Sequence, residues 1–232
     1  MDSQELALRK QEAGIRAAEL VEDGMVVGLG TGSTVHATIE RLGERVKEGL
    51  AIAGIPTSYQ TGIRARACGI TLATLADFPE IDVAIDGADQ VSPEFLLIKG
   101  RGAAHTREKC VAAAAESFVV VVDETKMTPR LSAQVPVEVL PFACGMVAAR
   151  IESLGGKPVL REAVKKDGPV VTDNGGFVLD CDFGIIEDPC GLERSLNDIP
   201  GVVSCGLFTA FAERTTVVVG GKKGVRVLTY EI

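Results

Sequence analysis

Residues 102–122 read GAAHTREKCVAAAAESFVVVV. The first fourteen mix alanine with long polar side chains and predict a helix, and FVVVV (118–122) is a β-branched run of strand length. No polar residue alternates within that run, so both of its faces should be covered, as in a parallel sheet flanked by helices. The same order recurs along the chain. Apolar residues return at helical spacing from Leu6 to Val21, Asp23-Gly24 stops the run, and MVVGLG (25–30) follows as a short buried strand. TGSTVHATIERLGERVKEG (31–49) predicts a helix, LAIAGIP (50–56) a strand and TGIRARAC (61–68) a helix, while IDVAI (81–85) and FLLI (95–98) predict strands. Helices alternating with buried strands give an α/β fold with a doubly wound, mostly parallel sheet.

The texture changes after Lys126. Pro129, Pro136 and Pro141 punctuate the chain, and VPVEVL (135–140), KPVLRE (157–162), PVVTD (169–173) and FVLDCDF (177–183) predict shorter strands around helices near 143–154 and 189–197. This is a second, smaller α+β unit. TTVVVG (215–220) and VRVLTYEI (225–232), joined by the turn-forming GGKKG, predict a hairpin that could return to either sheet. The expected division is a catalytic domain over 1–130, completed by 207–232, and a smaller domain over 131–206.

Composition narrows the class. At 232 residues, with 46% hydrophobic and 24% charged positions and 36 Gly plus Pro, the chain is long and apolar enough for a sizeable core. A net charge of −8 argues against a nucleic-acid surface, and no apolar stretch approaches the roughly 18 residues of a membrane helix. A cytoplasmic protein is expected, with no nucleic-acid or membrane partner. The six cysteines are scattered without a CxxC pair and read as reduced packing residues; with two histidines, no metal site is expected.

Four strand ends carry chemistry. Gly28-Leu29-Gly30-Thr31-Gly32-Ser33-Thr34 sits between strand and helix, where small residues let an anion approach free helix N–H groups. Ser33 breaks the dinucleotide pattern GxGxxG, so the readings are a phosphate loop or a tight turn capped by Thr31 or Ser33. Asp86-Gly87-Ala88-Asp89 closes a strand: paired acids in different protonation states, or a turn. In Lys99-Gly100-Arg101-Gly102 and the TREK helix that follows, Glu108 shares its side with Ala104, Val111, Ala112 and Ala115. Its carboxylate is either a partly buried base, with burial raising its pKa, or a solvated edge residue. Asp123-Glu124-Thr125-Lys126 ends another strand, and Lys126 and Lys10 are candidate cations. An anion loop, two aspartates, lysines and a base suit proton transfer beside the carbonyl of a small phosphorylated substrate.

TGST (31–34), DGAD (86–89), KGRG with TREK (99–109), DETK (123–126) and VVTDNG (170–175), in this order and with PGVVSCGLF (200–208) beyond, resemble the type A ribose-5-phosphate isomerase family over nearly the whole chain. The resemblance implies a Rossmann-like domain and a ferredoxin-like one, a homodimer or homotetramer, no cofactor, and metal-free interconversion of ribose 5-phosphate and ribulose 5-phosphate in the non-oxidative pentose phosphate pathway. By the same resemblance Glu108 is the base working through a cis-enediolate, Asp86 and Asp89 serve ring opening and hydroxyl protons, and Lys99 with its turn offsets enediolate charge. Thr31, Gly32, Ser33 and Thr34 match the phosphate loop, with Lys10 and Lys126 its lysines; Gly87, Ala88, Gly100, Arg101 and Gly102 complete the substrate contacts. Three positions depart from the family. Arg101 replaces a glycine and either points outward or adds a contact; His105 replaces a small or apolar residue and reads as a helix-surface residue; Gly176 replaces asparagine in a segment expected to lie away from the base. The rival readings are a sugar-phosphate sensor, a hexosamine-phosphate deaminase and a CoA transferase.

Overall fold

The structure, a computed structural model, describes residues 3–230. Its first half runs α1 (Ser3–Ala18), β1 (Val26–Leu29), α2 (Ser33–Lys47), β2 (Ala53–Pro56), α3 (Tyr59–Ala67), β3 (Thr71–Leu72) and β4 (Ile81–Asp86), then β5 (Gln90–Val91), β6 (Leu97–Ile98), α4 (His105–Ala114) and β7 (Ala115–Asp123). The second half runs β8 (Val135–Val139), α5 (Cys144–Ser153), β9 (Lys157–Leu160), β10 (Phe177–Asp182), α6 (Pro189–Asn197), β11 (Val202–Cys205), β12 (Leu207–Phe208), β13 (Thr215–Gly221) and β14 (Gly224–Thr229). Contacts divide the chain into two units, Met1–Ala88 with Arg107–Met127 and Phe211–Ile232, and Asp89–Thr106 with Thr128–Ala210. Residues 89–106, placed within the first domain by the sequence division, cluster with the second unit. There β6 pairs with β12 through Leu207↔Ile98, and the Lys99 N–H donates to Gly206 O at 2.8 Å.

The first unit is built on a seven-stranded sheet of order β14-β13-β7-β4-β1-β2-β3, parallel except for β13 against β14. Val119, Val120, Val121 and Val122 of β7 are buried without alternation, as a strand covered on both faces must be. The hairpin left open by the sequence belongs to this sheet, with Val217↔Val120 in register; residues 231–232 of its predicted second strand lie outside the described residues. Two glycines set how closely helices approach. A Cβ on Gly28 would lie 2.3 Å from Val111 Cγ1, so its absence lets α4 lie on β1. At Gly14 a Cβ would lie 2.8 Å from Thr34 O, so α1 crosses close to the start of α2, where Thr38 Oγ1 donates to Gly14 O at 3.0 Å.

In the second unit, β8-α5-β9-β10-α6-β11 forms an antiparallel sheet of order β11-β8-β10-β9 with two helices, the split βαβ arrangement. Val135, Val137, Val139, Leu179 and Cys181 point to its core with Val147, Ile151 and Leu196 of the helices. Pro136, Glu138 and Asp180 take the other face by alternation. PVVTD (169–173) is not a strand. It makes two isolated bridges, Glu162↔Pro169 and Val171↔Phe177, because Pro169 has no N–H to donate and the Thr172 N–H closes a turn onto Gly176 O at 2.9 Å. FLLI shortens to Leu97–Ile98 in the three-stranded sheet β12-β6-β5. No helix among the described residues is long and apolar enough to cross a membrane, and none of the six cysteines is in a disulfide.

Candidate active site

The loop after β1 is held open for an anion by its backbone. Gly32 is the N-cap of α2 at φ +133°, a left-handed conformation that favours glycine, and no side chain caps the helix. Neither Thr31 nor Ser33 takes the capping role that the turn reading required. The first turn of α2 contains no acid of its own that would compete for these amides. Thr31 turns its hydroxyl inward instead, 2.8 Å from Thr57 Oγ1 and 2.9 Å from Ser58 Oγ, while Thr61 Oγ1 donates to Gly30 O at 2.8 Å. Thr57, Ser58 and Thr61 therefore buttress the loop. They follow the second strand as TS and T, a run of hydroxyls that was the one sequence signal for them.

Asp86 ends β4 beside this loop and is 3% exposed. Its Oδ1 accepts from the Thr31 N–H at 3.1 Å and from the Gly87 N–H at 2.7 Å, which ties the carboxylate and the loop into one piece. Ala88 follows Gly87 at the same end of the sheet. Lys10 reaches this end because of the close α1–α2 crossing one helical turn later. It lines a cavity of about 480 Å³ with Ser33, His36 and Glu40, and its Nζ lies 3.8 Å from Asp123 Oδ2. Burial, then the Arg64 charge, push His36 below the usual imidazole range, so Lys10 is the cation of that cavity near neutral pH. Lys126 stands half-buried in the short turn Glu124–Lys126, whose Thr125 is capped by Asp123 Oδ1 at 2.9 Å.

Glu108 is 5% exposed in the first turn of α4, which settles the sequence alternatives against a solvated edge residue. Val111, one turn later, packs over Gly28 of β1. Since a helix between parallel strands runs back against them, Glu108 lies toward the C-terminal end of β1, where the loop 30–34 begins.

In the second unit, Asp89 and the Lys99–Gly102 turn come together. Asp89 Oδ2 accepts from the Arg101 N–H at 3.0 Å, and the Asp89 N–H donates to Ile98 O at 2.8 Å. Lys99 is 2% exposed, with Nζ 5.5 Å from the Phe208 ring centroid. Gly100 at φ +105° allows the turn that the Ala103 N–H closes onto Gly100 O at 2.9 Å. Arg101 and Gly102 are exposed. His105 is not a surface residue. It is fully buried, its Nε2 lies 3.4 Å from Ser204 O, and its ring occupies the space that a Cβ on Gly100 would enter at 2.8 Å.

The VVTDNG segment, expected to lie away from the base, is linked to the base's own helix. Glu138 is fully buried on β8 and accepts from Thr172 Oγ1, from Asn174 Nδ2 at 3.2 Å, and from Thr106 Oγ1, two residues before Glu108 on α4. Gly176 leaves the space, since a Cβ there would lie 2.6 Å from Glu138 Oε1. A lone acid in the apolar run VPVEVL was the sequence signal. Glu138→Ala removes the acceptor of one buried donor, the Thr172 hydroxyl, and of the more exposed Thr106 and Asn174, and is expected to lower stability by about 2 kcal/mol, read as the shift in a urea unfolding curve at unchanged slope. An unchanged midpoint would show that water or a rearranged side chain replaces the carboxylate.

Among the described residues no group of three His, Cys, Asp or Glu side chains is arranged to hold a metal ion. Residues 53–224 match the family model described as Ribose 5-phosphate isomerase A (phosphoriboisomerase A). The chain is 58% identical to ribose-5-phosphate isomerase A of Methanoregula boonei, over 97% of this chain and 94% of that protein. The structure of ribose 5-phosphate isomerase A from Methanocaldococcus jannaschii superposes with a TM-score of 0.90 at 43% identity, covering 95% of this chain and 98% of that one. A D-ribose-5-phosphate isomerase in complex with phospho-erythronic acid superposes at 0.93 and 44% identity, covering 99% and 100%.

Proposed function

Since the chain belongs to the ribose 5-phosphate isomerase A family, we propose that its interconversion of D-ribose 5-phosphate and D-ribulose 5-phosphate runs through Glu108 as the base. Glu108 moves a proton between C2 and C1 through a cis-enediolate. The observation that supports this most is a carboxylate 5% exposed in the first turn of a helix that is packed at Gly28 toward the anion loop. A desolvated carboxylate loses competing water and is a stronger base toward a bound carbon acid.

The remaining groups divide the work. Thr31–Thr34 bind the phosphate through the uncapped start of α2, with Lys10 and Lys126 supplying positive charge. Asp86, held by two backbone amides, and Asp89, held by one, open the sugar ring and carry hydroxyl protons, with Gly87 and Ala88 passing beside the sugar. Lys99 and the amides of Gly100 and Gly102 offset the charge that develops on the enediolate oxygens, while the Arg101 amide holds Asp89. These steps call on no metal or cofactor. The chain acts in the cytoplasm, in the non-oxidative branch of the pentose phosphate pathway, as a homodimer or homotetramer.

A phosphate held several atoms from the reacting carbons supplies binding energy that supports the chemistry there. Ribose without its phosphate is therefore expected to turn over with kcat/KM lower by roughly 10³ or more, measured by NMR detection of the ketose. Equal use of ribose and ribose 5-phosphate would overturn the assignment of the 31–34 loop.

A further inference from the structure

Arg161 sits just beyond β9, away from every motif, and its guanidinium is gripped by Asp180 of β10, with Nε 2.8 Å from Oδ2 and Nη2 on Oδ1. The pair is mostly buried, at 17% and 20% side-chain exposure. Its remaining nitrogen, Nη1, donates to two successive carbonyls of the Lys99–Gly102 turn, Gly100 O at 3.2 Å and Arg101 O at 3.0 Å. A trans peptide points its C=O and N–H in opposite directions. The unit whose carbonyl is Gly100 O carries the Arg101 N–H, which donates to Asp89 Oδ2. The unit whose carbonyl is Arg101 O carries the Gly102 N–H, which is turned away from the guanidinium and meets no acceptor among the described residues.

We propose that Arg161 is a positioning residue for the isomerase reaction: by pinning two carbonyls it fixes the peptide planes that hold Asp89 and present the Gly102 N–H to the enediolate oxygen. The inference rests on the roles proposed above for Asp89 and the turn. Asp180 takes up the charge of Arg161 and orients its fork, so the guanidinium reaches the turn as a donor and not as a mobile cation. Without Arg161 either peptide can flip, which would release Asp89 and point a carbonyl where negative charge develops.

The test compares Arg161→Met, which keeps the stem and removes every donor, with Arg161→Lys, Asp180→Asn and Glu108→Gln. Arg161→Met is expected to lower kcat by roughly 10- to 100-fold, the loss of an oriented donor, with KM for ribose 5-phosphate changed less than about threefold because the phosphate is held elsewhere. The Ki of phospho-erythronic acid, whose planar carboxylate stands in for the enediolate, should rise by about tenfold or more, since intermediate analogues lose affinity with kcat. Lys can donate to one carbonyl and should recover part of kcat. Unchanged kcat in Arg161→Met, or a Ki that does not move relative to KM, overturns the proposal. If Arg161→Met does not fold, the near-isosteric Asp180→Asn decides, with a several-fold fall in kcat supporting the proposal and none overturning it. Retained turnover in Glu108→Gln would instead overturn the underlying reading of the base.

Discussion

Glu108→Gln should lower kcat by roughly 10²- to 10⁴-fold while the protein stays folded and still binds ribose 5-phosphate. The substitution keeps the shape of a side chain that is 5% exposed and removes its capacity to accept a proton. Neighbours in the first turns of α4 are small or engaged elsewhere: Thr106 is bound to Glu138, and the Arg107 guanidinium stacks 4.9 Å from the Tyr59 ring. No second carboxylate on that helix can replace Glu108, because α4 (His105–Ala114) contains one acid. The loss should fall on kcat with KM nearly unchanged, the pattern of a group that acts in the transition state. Circular dichroism and the thermal midpoint distinguish this from unfolding. Turnover within a fewfold of the parent would mean that another group moves the proton.

Gly30→Ala should be nearly as damaging, for a steric reason. A Cβ on Gly30 would lie 2.2 Å from Asp86 Cγ and 2.7 Å from Asp86 Cα, and a rotamer change cannot relieve the second of these. The strands themselves must part, next to the bond from the Gly30 N–H to Ile85 O at 2.9 Å, and Asp86 must release the Thr31 and Gly87 amides. Overpacking of this kind costs about 1–3 kcal/mol. The displaced phosphate loop and Asp86 should cost about 10² in kcat/KM, the penalty of a misplacement near 1 Å. Gly62→Ala is the control. In α3 its Cβ would meet Pro56 Cγ at an ordinary 3.5 Å, and a helical Gly→Ala change is expected to stabilise by about 0.5–1 kcal/mol. Parent-like stability and turnover in Gly30→Ala would show that β1 and β4 separate at little cost.

The sequence carries the first unit better than the second, and the cause is local. FVVVV is buried on both faces, as are IDVAI apart from Asp82 and MVVGLG beyond Val26, so composition alone marks them as strands. The two-residue strands Thr71–Leu72, Gln90–Val91 and Leu207–Phe208 exist through pairing with distant partners and have no periodicity to detect. The final hairpin was legible as a hairpin, but its sheet depends on β13 pairing with β7 almost a hundred residues earlier. At the site, Asp86, Glu108 and the 31–34 loop stand where strand ends announce them. Arg161 and Glu138 do not, because their weight comes from the far side of the antiparallel sheet, and KPVLRE and VPVEVL read as ordinary strands. His105 reads as a helix-surface polar residue until Gly100 is seen to need the space beside it.

The central claim is proton transfer by Glu108 at C1 and C2. It is tested most directly by incubating the purified protein with ribose 5-phosphate in heavy water containing a chelator, beside Glu108→Gln, and following both by NMR. Ribulose 5-phosphate should form with solvent deuterium at the carbon that receives the proton, and neither product nor label should appear in the variant at the same rate. Equal deuterium entry in the two proteins, or no conversion by a folded parent that binds the sugar phosphate, would contradict the account.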